Sequence, residues 1–217
     1  MRKFGKAHFL MLFVIFSSSC QTTKTAKISL LCDLHKTIAI IPPEVEYEDS
    51  DTPGFLDDNG LQESFYLQES IFLHLKDKVR YENIDLKVVS PTEVNQRLEE
   101  NGFYSNGSDL TSLDLCEILE VDAILETSFF YVRPASGSEI IEDIGLNILS
   151  SFFNGVFIGG RRLGNIVFAE AWLFDKTLND DLWSKNFDRS RPNHKKFSHQ
   201  DLSEYIIIEM VEKIPYR

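Results

Sequence analysis

Apolar positions in this chain follow two periodicities that take turns. The run KTIAII at 36–41 is short, rich in branched residues and stopped by Pro42 and Pro43, which predicts a buried strand. Leu61, Phe65, Phe72, Leu75 and Val79 then recur at helical spacing with Ile71 beside them. They predict a helix about 28 Å long at 1.5 Å per residue, capped by Asp58 or Asn59. DLKVV at 85–89 is a second strand. Ser90-Pro91-Thr92-Glu93 opens the next helix: Ser90 caps it, Pro91 fills the first turn and Glu93 reaches back to the cap. That helix carries Val94 and Leu98 and ends at Gly102, and a further one over 111–120 turns Leu115, Cys116 and Leu119 inward. DAILETSFFYV at 122–132 is a third strand. Residues 165–175 and 182–189 are two more, joined at 176–181 as a hairpin. Ile166-Val167-Phe168-Ala169 is apolar on both faces, so its strand belongs in the interior of the sheet, and 201–214 forms a last helix.

Strand and helix alternate through the first units, which predicts an α/β fold: a mixed sheet with helices packed on it, in a single domain over 36–217. Ile38, Ile40, Val88, Ile124 and Phe168 are expected to line one core around that sheet. Two stretches depart from the rhythm. Residues 44–60 hold seven carboxylates and read as a solvated acidic loop, since the calcium spacing of an EF-hand is absent. Residues 138–162 form an apolar insertion. Ile140, Ile141, Ile144, Ile148, Leu149, Phe152 and Phe153 are near-helical in spacing, but Asn154-Gly155 and Gly159-Gly160 break any continuous helix. With Phe157, these residues suit a contact surface for another subunit or a lipid leaflet, or a cap folded back on the domain.

The start of the chain follows neither rhythm. Arg2, Lys3 and Lys6 precede eight apolar residues, Phe9 to Phe16, then Ser17-Ser18-Ser19 and Cys20. Eight apolar residues are too few to span a bilayer, and the order is that of a secretory signal peptide over 1–19. A cysteine directly after small residues resembles the lipobox of bacterial lipoproteins, although Ser17 stands where that family usually has an apolar residue. The resemblance implies cleavage before Cys20 and acylation of it, with 20–35 as a tether. Each buried acyl CH₂ contributes about 0.8 kcal/mol, so several chains hold a protein on a membrane firmly. Gln21, which is not Asp, implies in lipoproteins of enteric type delivery to the outer membrane.

Charge and cysteine content narrow the partners. Of 22 basic residues three lie in 1–19, which holds no acidic one, so the remaining body has 19 basic against 34 acidic, a net charge of −15. Nucleic acid and anionic headgroups repel such a surface, leaving the acylated Cys20 as the membrane contact. Cys32 and Cys116 are two thiols on an export route that can pair, yet Cys116 fits a small buried residue better.

Catalytic signatures are missing. The chain has no Gly-x-Ser-x-Gly elbow, P-loop, His-Glu-x-x-His or Cys-x-x-Cys, and no cofactor is implied. His194 and His199 flank Lys195 and Lys196 without a third metal ligand, and read as surface histidines. Gly159-Gly160-Arg161-Arg162 offers backbone amides with Arg161 and Arg162 for an anion or a partner, against a plain turn. Arg189-Ser190-Arg191 with Lys195-Lys196 is a basic cluster, read as a solvated loop before a docking patch. Trp172 and Trp183 read as packing.

Several of these segments taken together are similar to the lipoproteins that share the fold of CsgG and the TolB amino-terminal domain. The shared features are TIAIIPP, the long helix, LKVVSPTEV, Val121-Asp122-Ala123-Ile124-Leu125 before the middle strand, and the hairpin running from Leu173-Phe174-Asp175 to Trp183. The first loop is longer and more acidic than in that family, and Leu178-Asn179 replaces its usual Thr-Gly. The resemblance implies an envelope protein that acts without catalysis, through contacts with other envelope proteins or with itself, in a secretion or envelope-biogenesis assembly. It is expected to face the periplasm from the outer membrane. The alternative is a ligand-binding periplasmic lipoprotein with a pocket beside 138–162.

Overall fold

The computed structural model describes residues 28, 30–47, 58–104, 110–132, 163–192 and 198–217. A mixed sheet with helices packed on it carries the fold, as the alternation predicts. The strands are β1 (Thr37–Ile40), β2 (Glu44–Tyr47), β3 (Lys87–Val88), β4 (Ala123–Val132), β5 (Leu163–Asp175) and β6 (Asp180–Pro192). The helices are α1 (Asp58–Tyr81), α2 (Pro91–Glu100), α3 (Ser112–Leu119) and α4 (His199–Lys213). The sheet order is β3-β1-β4-β5-β6, parallel among β3, β1 and β4 and antiparallel from β4 through β6. β5 is interior, as its doubly apolar run requires.

The acidic stretch after the prolines does not begin as a loop. Glu44 to Tyr47 pair with Ser128 to Tyr131, along the same edge of β4 that β1 occupies at Ala123 to Leu125. β1 and β2 are one extended line interrupted where Pro42 and Pro43 have no amide hydrogen to give the ladder. Val45 is buried between exposed Glu44 and Glu46, the alternation that a half-covered strand needs.

The pleat divides the core in two. Ile38, Ile40, Leu125, Phe129 and Tyr131 face α1 and α4, where Leu67, Ile71, Leu75, Ile206 and Met210 cover them. Ala39, Ile124 and Phe174 face α2 and α3 and meet Val94, Leu98, Leu115 and Leu119. Val132, Ile166 and Phe168 form a third cluster at the far end of the second face. The five residues expected in one core are therefore spread over three clusters, because successive side chains on a strand point to opposite faces. The same division rules out the Cys32–Cys116 pairing: both are free and buried, Cys32 in the first cluster and Cys116 in the second, with the sheet between them.

The expected Ser90 cap forms with one difference, and two further helices carry caps of their own. Thr111 with Asp114 and Ser198 with Asp201 form reciprocal capping boxes on α3 and α4. Ser90 accepts the Glu93 amide on α2, but the Glu93 carboxylate pairs with Arg97 instead of reaching back. The segment expected as a tether also takes part in the fold: Cys32 and His35 are both buried, so the packed body starts before residue 36.

Candidate functional site

The residues that the sequence marks as functional, Cys20, Ile144, Ile148, Phe152, Phe153, Phe157, Arg161 and Arg162, lie outside the described residues, as does His194. Among the described residues no group of His, Cys, Asp and Glu side chains is placed to hold a metal ion. Among them, too, no helix is long and apolar enough to cross a membrane. Trp183 packs against the first core cluster, and Trp172 is half-buried on β5 opposite Glu126. Arg189 is ion-paired with Glu209 of α4, and His199 stacks on Tyr131, so neither is a free surface group.

Two histidine–carboxylate pairs, neither marked by any motif, organise the polar chemistry. The first is sealed inside. His35 Nε2 lies 2.7 Å from Asp175 Oδ2 and Nδ1 lies 2.8 Å from the Tyr216 hydroxyl. A neutral imidazole with its proton on Nε2 satisfies both contacts, donating to the carboxylate and accepting from the phenol. The other Asp175 oxygen accepts the Leu178 amide at 2.6 Å, in the turn between β5 and β6. Three distant parts of the chain thus meet at one point: the segment leading into β1, the hairpin turn and the C-terminal end. Close by, Asp122 accepts the amides of Lys36 and Thr37 and the Thr37 hydroxyl. Burial works against the ionised form of Asp122, but these bonds outweigh it and hold the pKa below the ordinary range.

Nothing in this knot is set up to react. Burial pushes the Tyr216 hydroxyl well above its ordinary pKa, with the Cys32 and Asp175 charges adding to the effect. Burial also pushes the Cys32 thiol up to about 12, helped by Asp33 and Asp175. Cys116 rises to about 12, again mainly by burial. Protonated, enclosed thiols are poor nucleophiles.

The second pair lies on the outer face of the α1–α4 layer. His74 Nε2 is 2.6 Å from Glu204 Oε1, and Ser70 donates its hydroxyl to Glu204 Oε2 at 2.7 Å. Partial burial raises the Glu204 pKa, but the bonds from His74 and Ser70 and the His74 charge outweigh it, leaving it lowered. Lys78 extends along the same seam and donates to the carbonyls of Val211 and Ile214 at 3.0 and 2.9 Å. It thereby satisfies carbonyls that the end of α4 leaves without intrahelical partners.

Around this seam large apolar side chains remain in water. Tyr66, Leu73 and Tyr81 are exposed on α1, and Tyr205 and Ile208 on α4. Separations of seven and eight place the first three along one side of α1, away from its buried stripe of Leu67, Ile71 and Leu75. An open groove of about 750 Å³ runs between the helices at their C-terminal ends, lined by His74, Lys78, Tyr81, Ile208 and Glu212 among others. Small-molecule pockets of this size are enclosed and mostly apolar, with few polar groups. This groove is instead open and walled largely by charged side chains, Asp77, Lys78, Arg80, Glu82 and Glu212 among them. The sequence carried a signal for it, Tyr66, Leu73 and Tyr81 falling off the core-facing rhythm. His35 carried none.

The chain matches no protein-family model and no curated protein. Solved structures similar to it include lipoprotein GNA1162 from Neisseria meningitidis, at 16% identity and TM-score 0.44, covering 82% of this chain and 96% of that one. A PelC dodecamer from Paraburkholderia phytofirmans matches at 10% identity and TM-score 0.40, covering 84% and 89%. The LpoB C-terminal domain from Salmonella enterica matches at 8% and 0.36, covering 72% and 83%. Similarities this distant assign this chain neither a family nor an activity.

Proposed function

We propose that this chain is a lipid-anchored protein of the bacterial envelope that works without catalysis, as a component of an envelope assembly. Acylated Cys20 holds it on the outer membrane facing the periplasm, and it meets its partners through protein contacts. The observation that carries this reading is the order of basic, apolar and small residues ending at Cys20. The resemblance to the CsgG and TolB amino-terminal-domain lipoproteins agrees with it. The exposed aromatic and aliphatic stripe on α1 and α4 supplies a surface for such contacts. The charged lining of the α1–α4 groove favours a macromolecular partner over a small ligand there.

The test is metabolic labelling with radioactive palmitate, comparing wild type with Cys20→Ala. Label is expected on the wild type alone, with the variant moving from the membrane to the soluble fraction. Equal label on both chains removes the anchor and the reading with it.

A further inference from the structure

We propose that a second copy of this chain pairs with the outer edge of β6, joining two sheets antiparallel about a two-fold axis at Asn186. β6 is thirteen residues long and closes the sheet order, and among the described residues no strand pairs with its outer side. Its register against β5 is unbroken from Trp183 to Ser190, with irregularities only outside that stretch. A long regular edge without a proline or a bulge in its middle presents a row of backbone donors and acceptors ready for another strand. Proline and irregularity occur only at its ends, while Lys185, Asp188 and Arg189 place charge in its middle, so a partner strand must take a register that keeps like charges apart.

Symmetry restricts the register. In an antiparallel pair, residues directly opposite each other point to the same face of the sheet. A two-fold axis perpendicular to the sheet keeps each residue on its own face in both copies. Only registers centred on a residue therefore satisfy both conditions. Centring on Lys185 sets Lys185 against its own copy, and centring on Phe187 sets Lys185 against Arg189. Centring on Asp188 opposes two copies of Asp188, and centring on Ser184 opposes Asp180 with Asp188. Each of these puts like charges directly opposite, which destabilises a pair.

The register centred on Asn186 avoids all of them and keeps positions 183–189 within the regular stretch, which a register centred on Trp183 does not. It sets Trp183 against Arg189 and Lys185 against Phe187 on the α4 side without opposing like charges, and each copy keeps its own Arg189–Glu209 pair and buried Phe187 ring. Lys185 already lies over the Phe187 ring of its own strand, 5.4 Å from its centroid. On the other face Ser184 meets Asp188, and the two Asn186 amides meet on the axis. Ser184, Asn186 and Asp188 are all exposed. The arrangement is independent of the α1–α4 surface and of lipidation at Cys20, and stands or falls without them.

Cysteine crosslinking of the Cys20→Ala chain reads the register directly, because Cys32 and Cys116 are buried. Opposed residues of an antiparallel pair have Cα atoms about 4.5–5.5 Å apart, within disulfide reach. Asn186→Cys is expected to give a disulfide-linked dimer on mild oxidation. Ser184→Cys and Asp188→Cys alone are expected to give none, while a mixture of the two gives the crosslinked heterodimer. Sedimentation of the unsubstituted Cys20→Ala chain is expected to show twice the monomer mass. A monomer throughout the concentration series overturns the proposal, as does equal crosslinking at the three single positions.

Discussion

His35 and His74 each meet a carboxylate through Nε2, at 2.7 and 2.6 Å, yet the two pairs contribute differently to the molecule. The His35–Asp175 side chains are 4% and 5% exposed, those of His74 and Glu204 35% and 38%. Separation is nearly constant between the pairs, and solvent is what changes. In the buried pair water cannot replace a lost partner, so removing one group leaves the others unsatisfied. In the exposed pair water and salt screen the attraction and fill any vacancy. Short contacts of the same chemistry thus serve as a structural knot in one place and as a solvent-screened pair in the other.

The comparison is most open to attack at Asp175. Asp175→Ala strands the His35 imidazole and the Leu178 amide in the interior and is expected to cost about 3–5 kcal/mol. Urea unfolding at neutral pH measures it, and a loss below about 1 kcal/mol would mean that the knot is not sealed. Tyr216→Phe keeps the ring packing and removes only the hydroxyl that serves Nδ1. The expected loss is about 1–2 kcal/mol by the same assay, clearly smaller than for Asp175→Ala.

Glu204→Gln, at the exposed pair, is expected to cost no more than about 0.5 kcal/mol at neutral pH and moderate salt. Its pH dependence sharpens the point. The folded-state pKa of Glu204 is lowered, so the ionised carboxylate contributes stability above its unfolded pKa and loses it as pH falls through the folded value. The gap between wild type and variant should therefore close on acidification. Thermal melts across an acidic pH series check this, and a gap that widens toward low pH contradicts the assignment.

Asp122 and Asp175 both have local structural work: Asp122 fastens the start of β1, and Asp175 joins His35 to the hairpin turn. Composition marks neither as special, since they are two of 34 acidic residues in the sequence. Glu126 is a comparable case. It sits opposite Trp172 on β4, and its Oε1 is buried with no hydrogen-bond partner among the described residues. Burial raises its pKa against the opposing Ser112 bond, with the Asp181 charge adding to the rise. Its place in an alternating strand was legible, but not its loss of solvent.

By itself the sequence determined the elements and the class of fold. Strand and helix periodicities, proline stops and the Ser90 cap act over a few residues, and local pattern is enough to read them. It also supplied the reading of Cys20, which depends on an ordered run of neighbours. Only the tertiary structure decided that Glu44 to Tyr47 extend the line of β1, that Cys32 and Cys116 lie on opposite sides of the sheet, and that His35 meets Tyr216 across 181 positions of chain. These outcomes depend on which strands become neighbours and which face each pleat presents. Burial then converts ordinary polar residues into a knot, and that conversion is set by the packing around them rather than by any residue nearby in the chain.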